Sequence, residues 1–587
     1  MMRWNLDALY TGFDDPTYKK DHKELAQSIN EWTDWSAALK SDSPAEPTLM
    51  QYLAYEDKVA NLASQLLNFC YLTLSVDVNH SLAQKQVDQL QTLLTELTLP
   101  SVQIKRWMKA KWPVTLPEFS AEKLTGLSYH LQEVYEASQY MLEDAQEVLL
   151  SKLSLTGSNA WTQLHGNLTA NLMVDFEDPE KDSVPLSVAR NLAYDPDPSV
   201  RKVGYEAELK SYKKIENSAA AALNSIKGEV LSVSSMRGFQ SPLDETLFIS
   251  RMDQKTLATM IEVMESYLPV FRSYLKRKGE ILGHSEGLPF YDLFAPMGES
   301  SKSFTFEEAQ SYITKNFSSF SDNLSAFADR AFQENWIDAQ PRAGKSGGAF
   351  CASIHPIGES RIMSNFTGTF SDVITLAHEL GHGFHSHVLM NESILNADYP
   401  MPLAETASIF SETIVMQSAL KEASEKEKLM LLESSLQDAT QVIVDILSRF
   451  YFEDTVFAKR PSGPLSVSEL NEIMLDAQNR TYGEALSEEK HPAMWINKSH
   501  YYEASMNYYN FPYAFGLLFA KGLYRKSIDM GPAFVDQYIQ LLRLTGQASV
   551  YDVPASIGID LHDPEFWIGS LEILKADVDE FLALTAK

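Results

Sequence analysis

The sequence SDVITLAHELGHGFHSH occupies residues 371–387, and its central HELGH decides how the rest of the chain is interpreted. On an α-helix, side chains four positions apart project from one face, so His378 and His382 can offer imidazole nitrogens to a single ion. Glu379 adjoins the first histidine, where a carboxylate can take a proton from a zinc-bound water without binding the metal itself. This HExxH spacing predicts two zinc ligands and a general base, the arrangement of a metallopeptidase.

The residues around the motif predict a largely buried helix. Buried histidines and a buried glutamate need a partner, and a metal ion would serve. The alternative interpretation is a helix with solvated polar residues, which the neighbouring side chains disfavour. Apolar residues cover much of the remaining helix surface: Val373, Ile374, Leu376, Ala377, Leu380 and Phe384.

A catalytic zinc usually has three protein ligands, so one more must come from elsewhere. The continuation HExxHxxGxxH is excluded, because the chain has His385 and Val388 where glycine and histidine are required. Glu405 lies among apolar residues, one turn into a helix expected to open at Pro402, and we predict it as the third ligand of one zinc per chain. Glu412, seven residues on, either orients a ligand histidine or is an exposed helix residue.

His385 also lies on the motif helix and shares a face with His378. A fourth protein ligand would close the position that water needs on a catalytic zinc. We therefore predict that His385 either has a structural role or contacts a metal ligand without binding the metal itself.

A second group of polar residues lies in the stretch SHYYEASMNYYNFPYAFG at residues 499–516. Peptide hydrolysis builds negative charge on the carbonyl oxygen, which a histidine or a tyrosine hydroxyl can stabilise. The stretch supplies several such donors. The alternative is an aromatic helix packed in the core, but so many hydroxyls in one buried helix would lack partners.

Composition limits the classes of partner. The chain has 587 residues and a formal net charge of −30, which disfavours nucleic acid and an anionic membrane surface. It contains two cysteines, and this scarcity is typical of a reducing compartment. No signal-peptide pattern opens the chain, and no uninterrupted apolar stretch is long enough to span a membrane. We therefore expect a cytoplasmic protein without a membrane partner.

Helical periodicity predicts a mainly α fold of many helices. Long antiparallel helices are expected between residues 16 and 99, and helices again after the motif. Residues 349–354 and 361–365 are expected to form two short strands of a small sheet. A turn-rich stretch near residue 190 divides the chain into an N-terminal helical domain, 1–190, and a catalytic domain, 191–587.

These motifs together resemble the thimet oligopeptidase and oligoendopeptidase F family of zinc metallopeptidases. The resemblance is clear over roughly residues 190–587, and the helical first part agrees with the family's N-terminal region. It is carried by AGKSGGAFC at 343–351, RIMSNFTGTFSDV at 361–373, TLAHELGHGFHSH at 375–387, AETASIFSE at 404–412 and HYYEASMNYYNFPYAFG at 500–516.

The resemblance implies an elongated, nearly all-α body whose two halves flank a deep channel, with a small sheet at the active site. Such a channel admits oligopeptides and excludes folded proteins, and the edge of the sheet can add an extended peptide. The resemblance also implies roles for single residues: His378, His382 and Glu405 as zinc ligands, Glu379 as the general base, His500 as a substrate contact near the scissile bond, and Tyr509 and Tyr513 as residues that stabilise the oxyanion or hold the peptide.

The preferred hypothesis is therefore a zinc-dependent endopeptidase that hydrolyses short oligopeptides. A carboxy-terminal exopeptidase of the same family is the first alternative, since closing one end of the channel would convert one activity into the other. A peptide-binding helical scaffold with a vestigial metal motif is the second. A purely structural zinc is disfavoured, because Glu379 would have no role beside it.

Overall fold

The structure of the protein is a computed structural model, and it describes residues 2–111, 122–178, 181–298 and 303–586. Helices dominate these residues and the sheets are small, so the predicted mainly α class is confirmed. The helices of the first part are α1 (Pro16–Ala37), α2 (Ala45–Val76), α3 (Ser81–Thr95), α4 (Thr98–Lys111), α5 (Glu122–Gly126), α6 (Ser128–Gln139), α7 (Asp144–Ser154), α8 (Ser158–Ala170), α9 (Leu186–Asn191), α10 (Pro198–Tyr212), α11 (Glu216–Arg237), α12 (Pro242–Ile249), α13 (Gln254–Ile281), α14 (Phe306–Ser318) and α15 (Asp322–Gln333).

The second part of the chain is also helical, and a π-helical turn at Gln441–Asp445 joins two of its helices. The helices of this part are α16 (Phe370–Leu389), α17 (Met401–Ala404), α18 (Thr406–Glu422), α19 (Glu425–Thr440), α20 (Ile446–Lys459), α21 (Val467–Tyr482), α22 (Phe511–Met530), α23 (Phe534–Leu544), α24 (Asp552–Ala555) and α25 (Pro564–Thr585).

The chain forms two compact units, each assembled from three segments. The two units are defined by contacts within the fold and not by a single point along the sequence. They do not test the predicted domain boundary at residue 190, which stays a prediction. Unit 1 consists of Met1–Met141, Ser301–Ala419 and Lys526–Gly558, and unit 2 of Leu142–Ser300, Leu420–Arg525 and Ile559–Lys587.

Among the described residues, each unit contains one small sheet. In unit 2, β1 (Met173–Val174) pairs antiparallel with β2 (Val184–Pro185). In unit 1, β5 (Glu359–Met363) lies between β3 (Ile337–Asp338), to which it is parallel, and β4 (Phe350–Ile354), to which it is antiparallel. The two predicted strands are confirmed with small shifts of their bounds, whereas β3 was not predicted.

The core of unit 1 joins the N-terminal helices to this sheet. α2 packs against α1 and α3, and it also contacts β4. The helices of this region were predicted from the periodicity of residues 16–99, whereas the contact with β4 was not predicted. Leu53, Leu66 and Phe69 of α2 share one apolar cluster with Ile354 at the end of β4. The sheet therefore rests on a helix that lies about 300 residues earlier in the sequence.

Among the described residues, α2 alone is long and apolar enough to cross a membrane by length and composition. A single such helix is weak evidence for a membrane span, because the core helix of a soluble protein passes the same test. In this fold α2 contributes Leu49, Tyr52 and Leu72 to the core of unit 1.

Candidate active site

The motif helix α16 begins at a position fixed by a capping box. The backbone N–H of Asp372 donates to Thr369 Oγ1 at 3.2 Å, and the N–H of Thr369 donates to Asp372 Oδ2 at 3.0 Å. Asp372 also accepts a hydrogen bond from the N–H of Thr367 at 2.9 Å. This box satisfies N–H groups at the helix start and fixes the turn on which the HELGH residues fall. The helix is largely buried, as predicted.

His378, His382 and Glu405 converge in unit 1. His378 Nε2 lies 3.2 Å from Glu405 Oε2, and His382 Nε2 lies 3.4 Å from the same oxygen. One ligand atom from each residue lies within 4.8 Å of the others. The structure therefore brings together the three residues that the sequence analysis selected as a metal site.

The helix that was expected to carry Glu405 is interrupted at that residue. α17 ends at Ala404 and α18 begins at Thr406, so Glu405 lies in the joint between two helices and not one turn inside a continuous helix. Ser408 Oγ donates to the Glu405 carboxylate at 2.7 Å and to its carbonyl at 3.2 Å. These local bonds compete with regular helical bonding, which accounts for the difference from the predicted helix.

Gly381 allows the two parts of the cluster to approach each other. A Cβ atom at Gly381 would lie 2.5 Å from the carbonyl oxygen of Ala407 and 2.6 Å from Cα of Ser408. Both are backbone atoms, which cannot rotate away as the end of a side chain can. The glycine in HELGH is therefore required for the packing of α16 against the start of α18, beside Glu405.

Charge at the cluster favours a bound cation. Burial would raise the pKa of Glu405, but its hydrogen bonds with the two histidines hold that pKa well below the ordinary value. Burial would lower the pKa of His378, but its hydrogen bonds with Glu405 and Glu412 raise it to about 10. The carboxylates thus stabilise positive charge at this position.

Glu412 lies beside a predicted ligand histidine, which is the first of the two alternatives that the sequence left open for it. Its Oε2 lies 3.3 Å from Nδ1 of His378, while the other ring nitrogen faces Glu405. A carboxylate on Nδ1 fixes the tautomer of a histidine and leaves Nε2 free for a metal ion. Glu412 is therefore placed to orient His378.

Glu379 lies on the same helix but outside the cluster of ligand atoms. Its side chain is buried, with 6% of the residue exposed. Burial raises the pKa of Glu379, against the opposing effects of His378 and His382. A carboxyl group with a raised pKa is suited to accept and return a proton near neutral pH.

His385 has a structural role, in agreement with its prediction. It is fully buried, its ring stacks on Tyr399, and its Nε2 lies 2.8 Å from Thr545 Oγ1. Burial lowers the pKa of His385 to about 3, so the ring is neutral. These contacts attach α16 to the segment that follows α23.

His500 lies in unit 2, in a 3-10 turn at Ser499–Tyr502 and not in a helix. Nδ2 of Asn510 donates to Nε2 of His500 at 2.7 Å, which leaves the ring proton on Nδ1. Burial and the charges of Arg449 and Lys498 lower the pKa of His500 to about 2. The ring is therefore a neutral hydrogen-bond donor at physiological pH.

The tyrosines of this segment fall into two groups. Tyr501, Tyr502 and Tyr508 are buried, so they belong to the core. Tyr509 and Tyr513 are half-buried, and their hydroxyl groups lie 2.7 Å apart. Tyr509 also stacks on His500, with ring centroids 5.7 Å apart. Of the five tyrosines in this segment, the two selected from the sequence are those that solvent can reach.

A buried ion pair holds the backbone of this segment. Tyr508 has φ of +53°, in the left-handed region that non-glycine residues rarely adopt. Its N–H donates to Glu453 at 2.9 Å, and Glu453 pairs with Lys227 at 2.6 Å. Lys227 also donates to Asn507 at 2.9 Å. These bonds stabilise the strained backbone next to Tyr509.

Sequence reasoning missed several residues that position the candidate site, among them Ser408, Gly381 and Asn510. A glycine inside a buried helix is a detectable signal of close backbone approach. Ser408 and Asn510 act through contacts that depend on the fold, and neither has a distinctive sequence pattern.

Comparison with known proteins identifies the family. The model of Peptidase family M3 matches residues 191–573, and that of the Oligopeptidase F N-terminal region matches residues 115–173. The chain belongs to peptidase family M3. It is therefore a metalloendopeptidase, and its substrates are peptides.

Relatives of this chain are similar over most of their length. Oligopeptidase PepF of Bacillus subtilis is 22% identical over 594 residues, which cover 100% of this chain and 87% of the relative. Oligoendopeptidase F of Lactococcus lactis subsp. cremoris is 27% identical over 395 residues, covering 66% and 64%. A solved putative peptidase from Chlamydophila abortus has the same fold, with a TM-score of 0.84 and 20% identity over 99% of this chain and 98% of that chain.

The residues present fit the metal ion that the family implies. Two imidazole nitrogens and one carboxylate oxygen are the donor set of catalytic zinc sites, which keep one further position for water or substrate. His378, His382 and Glu405 supply this set within 4.8 Å.

Proposed function

We propose that this metalloendopeptidase is zinc-dependent, holds one zinc per chain through His378, His382 and Glu405, and hydrolyses internal bonds of short oligopeptides. The observation that carries the proposal is the convergence of these three donors in unit 1. When bound, zinc lowers the pKa of water and polarises a peptide carbonyl.

Glu379 is the proposed general base. It takes a proton from the attacking water and returns it to the leaving amine. Its position next to a metal ligand, its burial and its raised pKa support this role.

His500, Tyr509 and Tyr513 are the proposed donors to the carbonyl oxygen as negative charge develops there. Nδ1 of His500 carries the proton, and neither a hydrogen bond nor an ion pair occupies it in the described residues. The half-buried hydroxyl groups of Tyr509 and Tyr513 support the same role.

Two observations favour oligopeptides as the substrates. Relatives over most of the chain are named oligopeptidase and oligoendopeptidase. β4 lies at the edge of its sheet in the described part of the chain, which supports the addition of an extended peptide along that edge.

The decisive experiment compares the wild type with Glu379→Gln in a mixed peptide library read by mass spectrometry, with and without a chelator. We expect Glu379→Gln to retain one zinc per chain and to lose at least about a thousandfold in turnover, because the general base is gone. Undiminished cleavage by the zinc-loaded variant would falsify the assignment of Glu379.

Peptides blocked at both ends separate an endopeptidase from an exopeptidase. An endopeptidase cuts blocked and unblocked peptides at the same internal bonds. Cleavage confined to peptides with a free carboxyl terminus would overturn the endopeptidase proposal.

A further inference from the structure

Unit 2 contains a cavity that the proposed reaction does not use. It has a volume of about 360 Å³, and its wall combines charged groups with aromatic rings. Arg190, Arg449 and Lys498 contribute positive charge, whereas Tyr194, Tyr291 and Phe294 contribute aromatic surface. A cavity of this size and lining is typical of a small-molecule site.

The charges in the wall do not cancel. The ammonium group of Lys498 makes no ion pair and no hydrogen bond within the described residues. Three lining arginines each have an acidic partner: Arg201 with Asp292 at 2.7 Å, Arg190 with Glu208 at 3.3 Å, and Arg449 with Asp445.

The wall also carries buried polar atoms without partners among the described residues. Nε of Arg449, Oδ1 of Asn497 and Nδ1 of His491 make no hydrogen bond. Arg449 is only 9% exposed. Buried polar groups are nearly always satisfied by protein, water or ligand, so several unsatisfied groups on one cavity indicate a polar occupant.

Lys498 is strained electrostatically in this position. Burial and the charge of Arg449 lower the pKa of Lys498 to about 7, while Asp445 and Glu208 oppose the shift and Arg190 adds to it. An anion beside the ammonium group would offset the cost of burying its charge. Phosphate is less suited, because it has no apolar body to contact the aromatic rings of the wall.

We propose that this cavity binds a small free carboxylic acid with an aromatic or branched apolar body, and that Lys498 donates to its carboxylate. Arg449, through its unpaired Nε, is the second donor. The body of the acid packs against the rings of Tyr194, Tyr291 and Phe294. This inference does not rest on the zinc site of unit 1, although Arg449 and Lys498 also lower the pKa of His500.

Isothermal titration calorimetry on the full chain tests the proposal with two probes of the same shape, phenylacetate and its neutral analogue phenylacetamide. We expect phenylacetate to bind at least about tenfold more tightly, because only its carboxylate forms charge-assisted hydrogen bonds. This comparison needs no variant. Equal binding of the two probes, or no binding of phenylacetate at millimolar concentration, overturns the proposal.

Three variants locate the probe. Lys498→Met should weaken phenylacetate binding at least about tenfold, whereas Lys498→Arg should keep most of the affinity because the charge remains. Lys210→Met is the control, since Lys210 lies in the same unit on α10 and its side chain is 65% exposed. Circular dichroism confirms that each variant is folded. Unchanged affinity in folded Lys498→Met would place the probe elsewhere and refute the proposal.

Discussion

The proposed active-site residues of the two units are held in different ways. In unit 1, His378 and His382 lie on a regular helix, and one glycine brings the backbone of α18 close to it. In unit 2, His500 lies in a 3-10 turn, and the backbone near Tyr509 adopts a left-handed conformation at Tyr508. Regular structure needs only correct spacing, whereas irregular backbone needs bonds from distant residues to hold it.

The largest effect is expected where a buried charge loses its partner. Lys227→Met leaves Glu453 buried and unpaired, which should cost about 3–5 kcal/mol of unfolding free energy. Turnover should fall as the backbone near Tyr508 loosens, while zinc content stays at one per chain. Denaturant unfolding and metal analysis provide the two measurements.

The control for this variant is Lys213→Met, whose lysine side chain is 67% exposed and pairs with Glu216. Exposed ion pairs contribute little, so its unfolding free energy should change by less than about 1 kcal/mol. Equal stability losses in the two variants would contradict the view that the buried pair holds the segment of His500.

A smaller loss of stability, accompanied by weaker zinc binding, is expected in unit 1. Gly381→Ala forces a Cβ against the backbone of Ala407, which should cost about 1–3 kcal/mol and weaken zinc binding. Gly569→Ala on α25 is the matched control, because nothing lies within 4 Å of the position that its Cβ would take and alanine favours a helix. Normal zinc affinity in Gly381→Ala would show that the close approach does not position Glu405.

Glu412→Gln tests the support behind His378. Loss of the carboxylate on Nδ1 should weaken zinc binding about tenfold, with little change in the unfolding free energy. Competition with a chelator of known affinity measures the change. Glu412→Asp should recover only part of it, and an unaltered affinity in Glu412→Gln would leave Glu412 without a role at the metal.

The last prediction concerns pH. Because the pKa of His500 is lowered to about 2, the unfolded chain binds a proton below about pH 6.5 that the folded chain does not. Stability from this group is therefore complete above about pH 6.5 and is lost as the pH falls below it. His500→Gln should show a shallower loss of unfolding free energy between about pH 6.5 and 4.5 than the wild type, as urea titrations would reveal. Parallel pH profiles would argue against a neutral, buried His500.

The same contrast explains what could be predicted from the sequence. The spacing of His378 and His382 follows from helix geometry, and Glu405 was found from its apolar surroundings, so all three residues that converge in unit 1 were selected from the sequence, and their role as metal ligands stays a prediction. The interruption at Glu405 depends on the hydroxyl of Ser408, which no periodicity indicates. In unit 2, the partners of His500 and Tyr508 come from α11 and α20 and from a residue ten positions on, and only the fold brings them together.

The interleaving of segments has a consequence for synthesis of the protein. α16 packs against α23, and His385 on α16 is bonded to Thr545. The ribosome must therefore add more than 150 residues after the HELGH motif before that face of the helix is covered. During this interval the face of α16 that packs against α23 lacks its native partner, whereas β4, β5, α14 and α15, which also pack on α16, have already been synthesised.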